Sequence, residues 1–142
     1  MHSEILESLL VATHRLTREA ASVAGSSTPS ATWRTLAVLE ADGPHRIGEL
    51  ATAVRVTQPG MTRVVADLVE REHVSRIADV DDARAWLIRI TPKGRAALAE
   101  WRRLLAETLR PRFGDLSEAE WTVLAHAADL LAAKFAAPAV AA

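Results

Sequence analysis

The segment IGELATAVRVTQPGMTRVVADLVE, residues 47–70, constrains the fold more than any other part of the chain. IGELATAV reads as a short helix, Arg55-Val56 ends it, and Thr57 is placed to cap a second helix running from 58 to about 71. On a helical wheel Met61, Val64, Val65 and Leu68 cluster on one side of that second helix, which must pack on the rest of the domain. The other side shows Pro59, Thr62, Arg63, Ala66, Asp67 and Glu70, so its first turns are small, neutral or basic and its acids come late. After it comes DVDDARAWLIRITPKG, residues 79–94. Residues 74–78 and 85–90 read as two short strands joined by an acidic turn, with Trp86, Ile88 and Ile90 on one face and Leu87 and Arg89 on the other.

Helical spacing accounts for most of the remainder. Ile5, Leu9, Leu10, Thr13 and Leu16 mark a first helix that ends at GSSTPS. Thr28 as cap and Pro29 at the first helical position open a second, carrying Trp33, Leu36, Ala37 and Leu39 and stopped by Asp42-Gly43-Pro44. Thr91-Pro92 opens a long helix to about 109, closed by Pro111. Ser117 and Glu120 form a capping box for the last helix, with Leu116 and Trp121 placed as its hydrophobic staple. The predicted fold is mainly α with a small β-hairpin wing. A winged helix–turn–helix core at 28–91 is flanked by helical regions at 1–24 and 92–136, followed by a disordered tail at 137–142.

Composition narrows the chemistry. A chain of 142 residues, 49% hydrophobic, can bury the core of one domain. Its apolar runs are too short for a membrane span, and Glu4 and Glu7 stand where a secretory signal needs positive charge, which predicts a cytoplasmic protein. The absence of cysteine excludes disulfides, thiolate zinc sites and sensing by thiol oxidation. The five histidines, at 2, 14, 45, 73 and 126, show no metal-ligand spacing. No Ser–His–acid arrangement or phosphate loop is visible, so neither an enzyme nor a cofactor is expected. Asp79, Asp81 and Asp82 fail the calcium-loop pattern at Ala83 and Ala85 and lack its terminal glutamate. The net charge of −1 hides an asymmetry: residues 46–95 hold nine basic and seven acidic side chains, and residues 115–142 four acids and one lysine. The centre is therefore the better place for an anionic partner, though only mildly so. Fifteen of the seventeen basic residues are arginine, which suits phosphate contacts but is better explained by a GC-rich gene.

A recognition helix enters the major groove by its N-terminal end, so Thr57, Gln58, Pro59, Thr62 and Arg63 are the expected contacts there, with Asp67 and Glu70 held out. IGELATAVRVTQPGMTRVVADLVE resembles the helix–turn–helix of the MarR family of bacterial transcriptional regulators, and DDARAWLIRITPKG resembles its wing, an Asp-x-Arg before a strand and Thr-x-x-Gly. The resemblance is close from about 33 to 95 and by pattern only in the outer helices. It implies that Asp82 orients Arg84, that Arg84 enters the minor groove with Arg76 nearby, and that the outer helices make a homodimer. It further implies a repressor that binds a pseudo-palindromic double-stranded DNA operator and is released by a small aromatic or lipophilic effector. His14, Arg18, Trp33 and Trp101 are the candidates for that effector's pocket, with ordinary packing as the competing reading of each. The family has Gly-Leu where this chain has Glu72-His73, so the end of the recognition helix is expected to close differently. The alternative function is a helical protein-interaction module without sequence-specific DNA binding.

Overall fold

Side-chain caps set the starts of three helices in this fold. The computed structural model describes residues 1–136, and the expected tail lies outside the described residues. In chain order the elements are α1 (His2–Ala24), α2 (Ser30–Asp42), α3 (Ile47–Val54), α4 (Gln58–Glu70), β1 (Val74–Ala78), β2 (Trp86–Ile90), α5 (Pro92–Leu109), a 3-10 turn (Arg110–Phe113) and α6 (Glu118–Phe135). Thr57 and Thr91 accept the backbone N–H groups of Gly60 and Gly94 at the starts of α4 and α5. Ser117 and Glu120 make the expected capping box of α6. Helix α2 differs: it begins at Ser30, and Pro29, not Thr28, holds the cap position without a side-chain bond. Trp121, expected to staple onto Leu116, has Phe113 as its aromatic neighbour, with ring centres 5.9 Å apart.

The core lies where α2, α3, α4, the hairpin and α5 converge. Leu36, Leu50, Met61, Val65, Leu68 and Ile88 are fully buried in it. A buried side chain of this size contributes roughly 1.5–3 kcal/mol. Met61, Val65 and Leu68 together therefore hold α4 far more firmly than the single Thr57 cap, which contributes about 1 kcal/mol. The strands pair antiparallel, from Val74 with Ile90 to Ala78 with Trp86. Ile88 also exchanges both backbone hydrogen bonds with His45, which adds a one-residue third strand and ties the hairpin to the segment before α3.

The end of α4 overturns one expectation. Glu72 itself adopts φ 62°, the left-handed conformation that glycine takes without penalty. The His73 N–H reaches Leu68 O at 2.9 Å, so the helix closes as a glycine-terminated one would. Tertiary contacts hold the strained residue. The Thr91 hydroxyl donates to Glu72 O at 2.7 Å, the Thr91 N–H donates to His73 O at 3.0 Å, and Lys93 pairs with the Glu72 carboxylate at 2.9 Å. Gly94 lets α5 approach this turn, since a Cβ there would sit 2.1 Å from His73 O. The Thr-x-x-Gly pattern is thus the joint between the recognition helix, the wing and α5. Arg55 at the end of α3 is likewise left-handed, with φ 61°.

Outside the core, α1 packs along α5; the ion pair Arg112–Glu19 ties α1 to the 3-10 turn after α5, and Arg102–Glu40 ties α5 to α2. Helix α6 buries none of its residues. Its Val123, Leu124, Leu130 and Phe135 are exposed, as are Ile5, Leu6, Leu10 and Val11 of α1.

Candidate nucleic-acid interface

Two elements present exposed cations on a rigid frame. Because Met61, Val65 and Leu68 are buried, the opposite side of α4 faces outward, and Thr57, Gln58, Pro59, Thr62 and Arg63 are all exposed. The Thr62 hydroxyl donates to Gln58 O at 3.0 Å, which leaves its methyl and oxygen lone pair facing outward. The late acid Asp67 is paired with Arg71 at 2.9 Å. Among the described residues no ion-pair partner is found for Arg63, Arg76 or Arg84. Among the described residues the helix therefore carries an unpaired positive charge near its start, while of its two late acids Asp67 is neutralised by Arg71 and Glu70 is not paired.

The acidic turn of the wing is built by two aspartates with different tasks. Asp82 Oδ1 accepts the backbone N–H of Arg84 at 3.0 Å, and Asp82 O accepts that of Ala85 at 3.0 Å. Asp82 thus fixes the main chain of Arg84 while the Arg84 side chain remains exposed. Asp79 is buried among its polar neighbours, only 7% exposed. Its Oδ1 accepts the Asp81 N–H at 2.9 Å, and its Oδ2 accepts Nε and Nη2 of Arg46 at 2.9 and 2.5 Å. Arg46 immediately precedes α3, so this fork clamps the wing loop to the start of the helix–turn–helix. At the same place the Glu49 carboxylate accepts the Arg46 backbone N–H at 2.8 Å.

The clamp also shifts both ionisations. The Asp81 N–H and then the Arg46 guanidinium hold the Asp79 carboxyl below its usual range, against the opposing effect of burial. The same contact raises Arg46. A depressed carboxylate contributes stability that is present above its unfolded value, about 3.9, and is lost as pH falls through its lower folded value. Asp79→Asn is accordingly expected to lower the melting temperature by a constant amount from pH 8 to about pH 5, a gap that closes in stronger acid. Thermal melts of both proteins across that range check it, and a gap that widens in acid would contradict it.

The four residues expected at an effector site do not gather in one place. Trp33 and Trp101 do meet, stacked with centroids 4.9 Å apart and planes 7° from parallel. They border a groove of about 510 Å³ with Ser26, Ser27, Glu100 and Leu104. The Trp33 indole N–H is buried and has no hydrogen-bond partner among the described residues. Arg18 lies in a separate groove of about 670 Å³ between α1 and the end of α5, with Arg15, Glu19 and Phe113. His14 lines neither groove. Among the described residues no three metal-ligating side chains converge, and no helix is long and apolar enough to cross a membrane.

Sequence reasoning missed Arg46, His45 and the position of Trp86. Trp86 shares a strand face with the buried Ile88 and Ile90 but is itself 58% exposed at the turn end of the hairpin.

Comparison with known proteins agrees with this geometry. The MarR family model matches residues 26–85. The chain is similar to the HTH-type transcriptional regulator Mb0904 of Mycobacterium bovis, 35% identical over 69% of this chain and 68% of that one. Its fold is similar to the transcriptional regulator Tm0710 of Thermotoga maritima, with TM-score 0.71 and 21% identity over 91% and 92% of the two chains. It is also similar in fold to BpsR of Bordetella bronchiseptica, whose DNA binding is regulated by 6-hydroxynicotinic acid, with TM-score 0.58 and 22% identity over 89% and 91%.

Proposed function

This chain belongs to the MarR family of DNA-binding transcriptional regulators, and we propose that it acts as a homodimeric repressor of a pseudo-palindromic operator. Residues 28–91 read the DNA. Gln58, Pro59, Thr62 and Arg63 enter successive major grooves from the two protomers, and Arg84, with Arg76 beside it, enters the flanking minor grooves. The observation that carries this reading is a wing whose main chain is fixed by Asp79 and Asp82 while its arginine is left unpaired. With the main chain of the wing already fixed, little backbone freedom is lost when Arg84 meets a phosphate-lined groove.

Residues 1–24 and 92–136 form the dimer. The exposed apolar side chains of α1 and the unburied helix α6 support this, because such surface is stabilised only when covered. A small aromatic or lipophilic effector held near Trp33 and Trp101 would change the spacing of the two DNA-binding lobes and so weaken binding. The regulation of BpsR by an aromatic acid supports the ligand class, and the stacked indoles support the place.

A salt titration of binding to DNA from upstream of the protein's own gene tests the reading. Binding is expected to weaken steeply with salt, with a log–log slope of about −0.9 for each phosphate neutralised. Tight salt-insensitive binding, or none to any promoter DNA, would refute it.

A further inference from the structure

Between the start of α4 and the tip of the wing lies an open cleft of about 620 Å³, lined by Arg46, Ile47, Gly48, Glu49, Thr52, Gln58 and Trp86. Its charged members are already engaged with the protein: Arg46 with Asp79, and Glu49 with the Arg46 N–H. The Thr52 hydroxyl is spent on Gly48 O at 3.2 Å. Among the described residues no hydrogen bond is made by the Trp86 indole N–H or the Gln58 amide. Gly48 keeps the floor of the cleft low, and even a Cβ there would lie 3.8 Å from Gln58 Oε1. Trp86 adds nothing to the core, since 58% of it is exposed. An exposed indole beside free neutral donors is a contact waiting for a partner with both a flat apolar edge and an acceptor.

We infer that this cleft receives one sugar–phosphate strand of the operator, with the Trp86 ring against a deoxyribose and its N–H on a phosphate oxygen. The inference rests on the DNA-binding reading above. In a duplex, one backbone strand separates each major groove from the adjacent minor groove. A protein that places α4 in the first and Arg84 in the second must therefore present the surface between them to that strand. The surface between them is this cleft: Gln58 opens α4, and Trp86 lies two residues from Arg84. Backbone contacts of this kind come from neutral donors as well as cations and fix register without reading sequence.

The test is operator binding by wild type, Trp86→Ala, Trp86→Phe and Arg84→Ala, repeated on operators carrying single methylphosphonate substitutions. Trp86→Ala is expected to bind roughly a hundredfold more weakly on every sequence, about tenfold from each half-site, the effect of losing one hydrogen bond to a charged group in each protomer. Trp86→Phe should fall between it and wild type. The salt slope should stay at the wild-type value, since no cation is removed. One phosphate per half-site, between the major-groove and minor-groove contacts, should cease to matter in Trp86→Ala and Trp86→Phe, which both lack the N–H, and should still matter in Arg84→Ala. If wild type binds and Arg84→Ala binds more weakly, but Trp86→Ala matches wild type, this assignment is overturned and the DNA reading stands. A Trp86→Ala protein that changes dimerisation or effector response with unchanged DNA affinity gives the cleft to another occupant and also overturns it. If wild type binds no DNA, both fall together.

Discussion

Arg84→Ala is expected to weaken operator binding roughly a hundredfold, about tenfold from each wing of a dimer, while leaving the melting temperature unchanged. The Arg84 side chain is exposed and has no ion-pair partner among the described residues, so its removal leaves no unsatisfied group in the free protein. Its main chain is fixed by Asp82, so the loop keeps its shape in the variant. The loss is therefore one of binding alone. It should be spread over all sequences, with a shallower salt dependence, because a minor-groove arginine responds mainly to electrostatic potential. Arg63→Ala should instead also alter base preference, since Arg63 faces outward from the helix that enters the major groove. Fluorescence anisotropy with operator variants at several salt concentrations separates the two. Equal affinity of Arg84→Ala and wild type at low salt would remove the wing from the interface.

Gly94→Ala is expected to destabilise the fold by about 3 kcal/mol, more than most single-methyl additions. The added Cβ would sit 2.1 Å from His73 O and 2.9 Å from His73 C, and both are backbone atoms. Relief requires the start of α5 to move away from the α4–β1 turn. That movement stretches the Thr91 bonds to Glu72 O and His73 O, which hold Glu72 in its left-handed conformation. The wing and recognition helix are joined at this point, so DNA affinity should fall along with stability. Denaturant unfolding measures the first effect, and operator binding well below the unfolding midpoint measures the second. A variant as stable as wild type would mean that the joint is not under this constraint.

The elements that could be read from the chain are those whose signals are local. Thr57, Thr91 and Ser117 cap helices because a hydroxyl or its equivalent reaches an N–H only three residues away. The apolar side of α4 was legible because periodicity along one helix is also local. The acidic turn was only half legible. Asp82 acts on Arg84 two residues along, whereas the partner of Asp79 stands 33 residues earlier. Nothing local marks Asp79 as buried, and only the meeting of the wing with the start of α3 buries it.

The left-handed Glu72 follows the same division. Residue type argued against that conformation, and contacts from Thr91 and Lys93, about twenty residues on, impose it. The Trp33–Trp101 stack joins α2 to α5, and the exposure of Trp86 follows from where the hairpin outruns the core. None of these has a local signature. The sequence alone determined the order of elements, the buried side of α4 and the presence of a wing, because capping and periodicity act within one or two turns of chain. Tertiary structure alone decided which aspartate is clamped, how the recognition helix ends and what lies between it and the wing. Those depend on groups brought together across tens of residues, where packing and charge pairing override local preference.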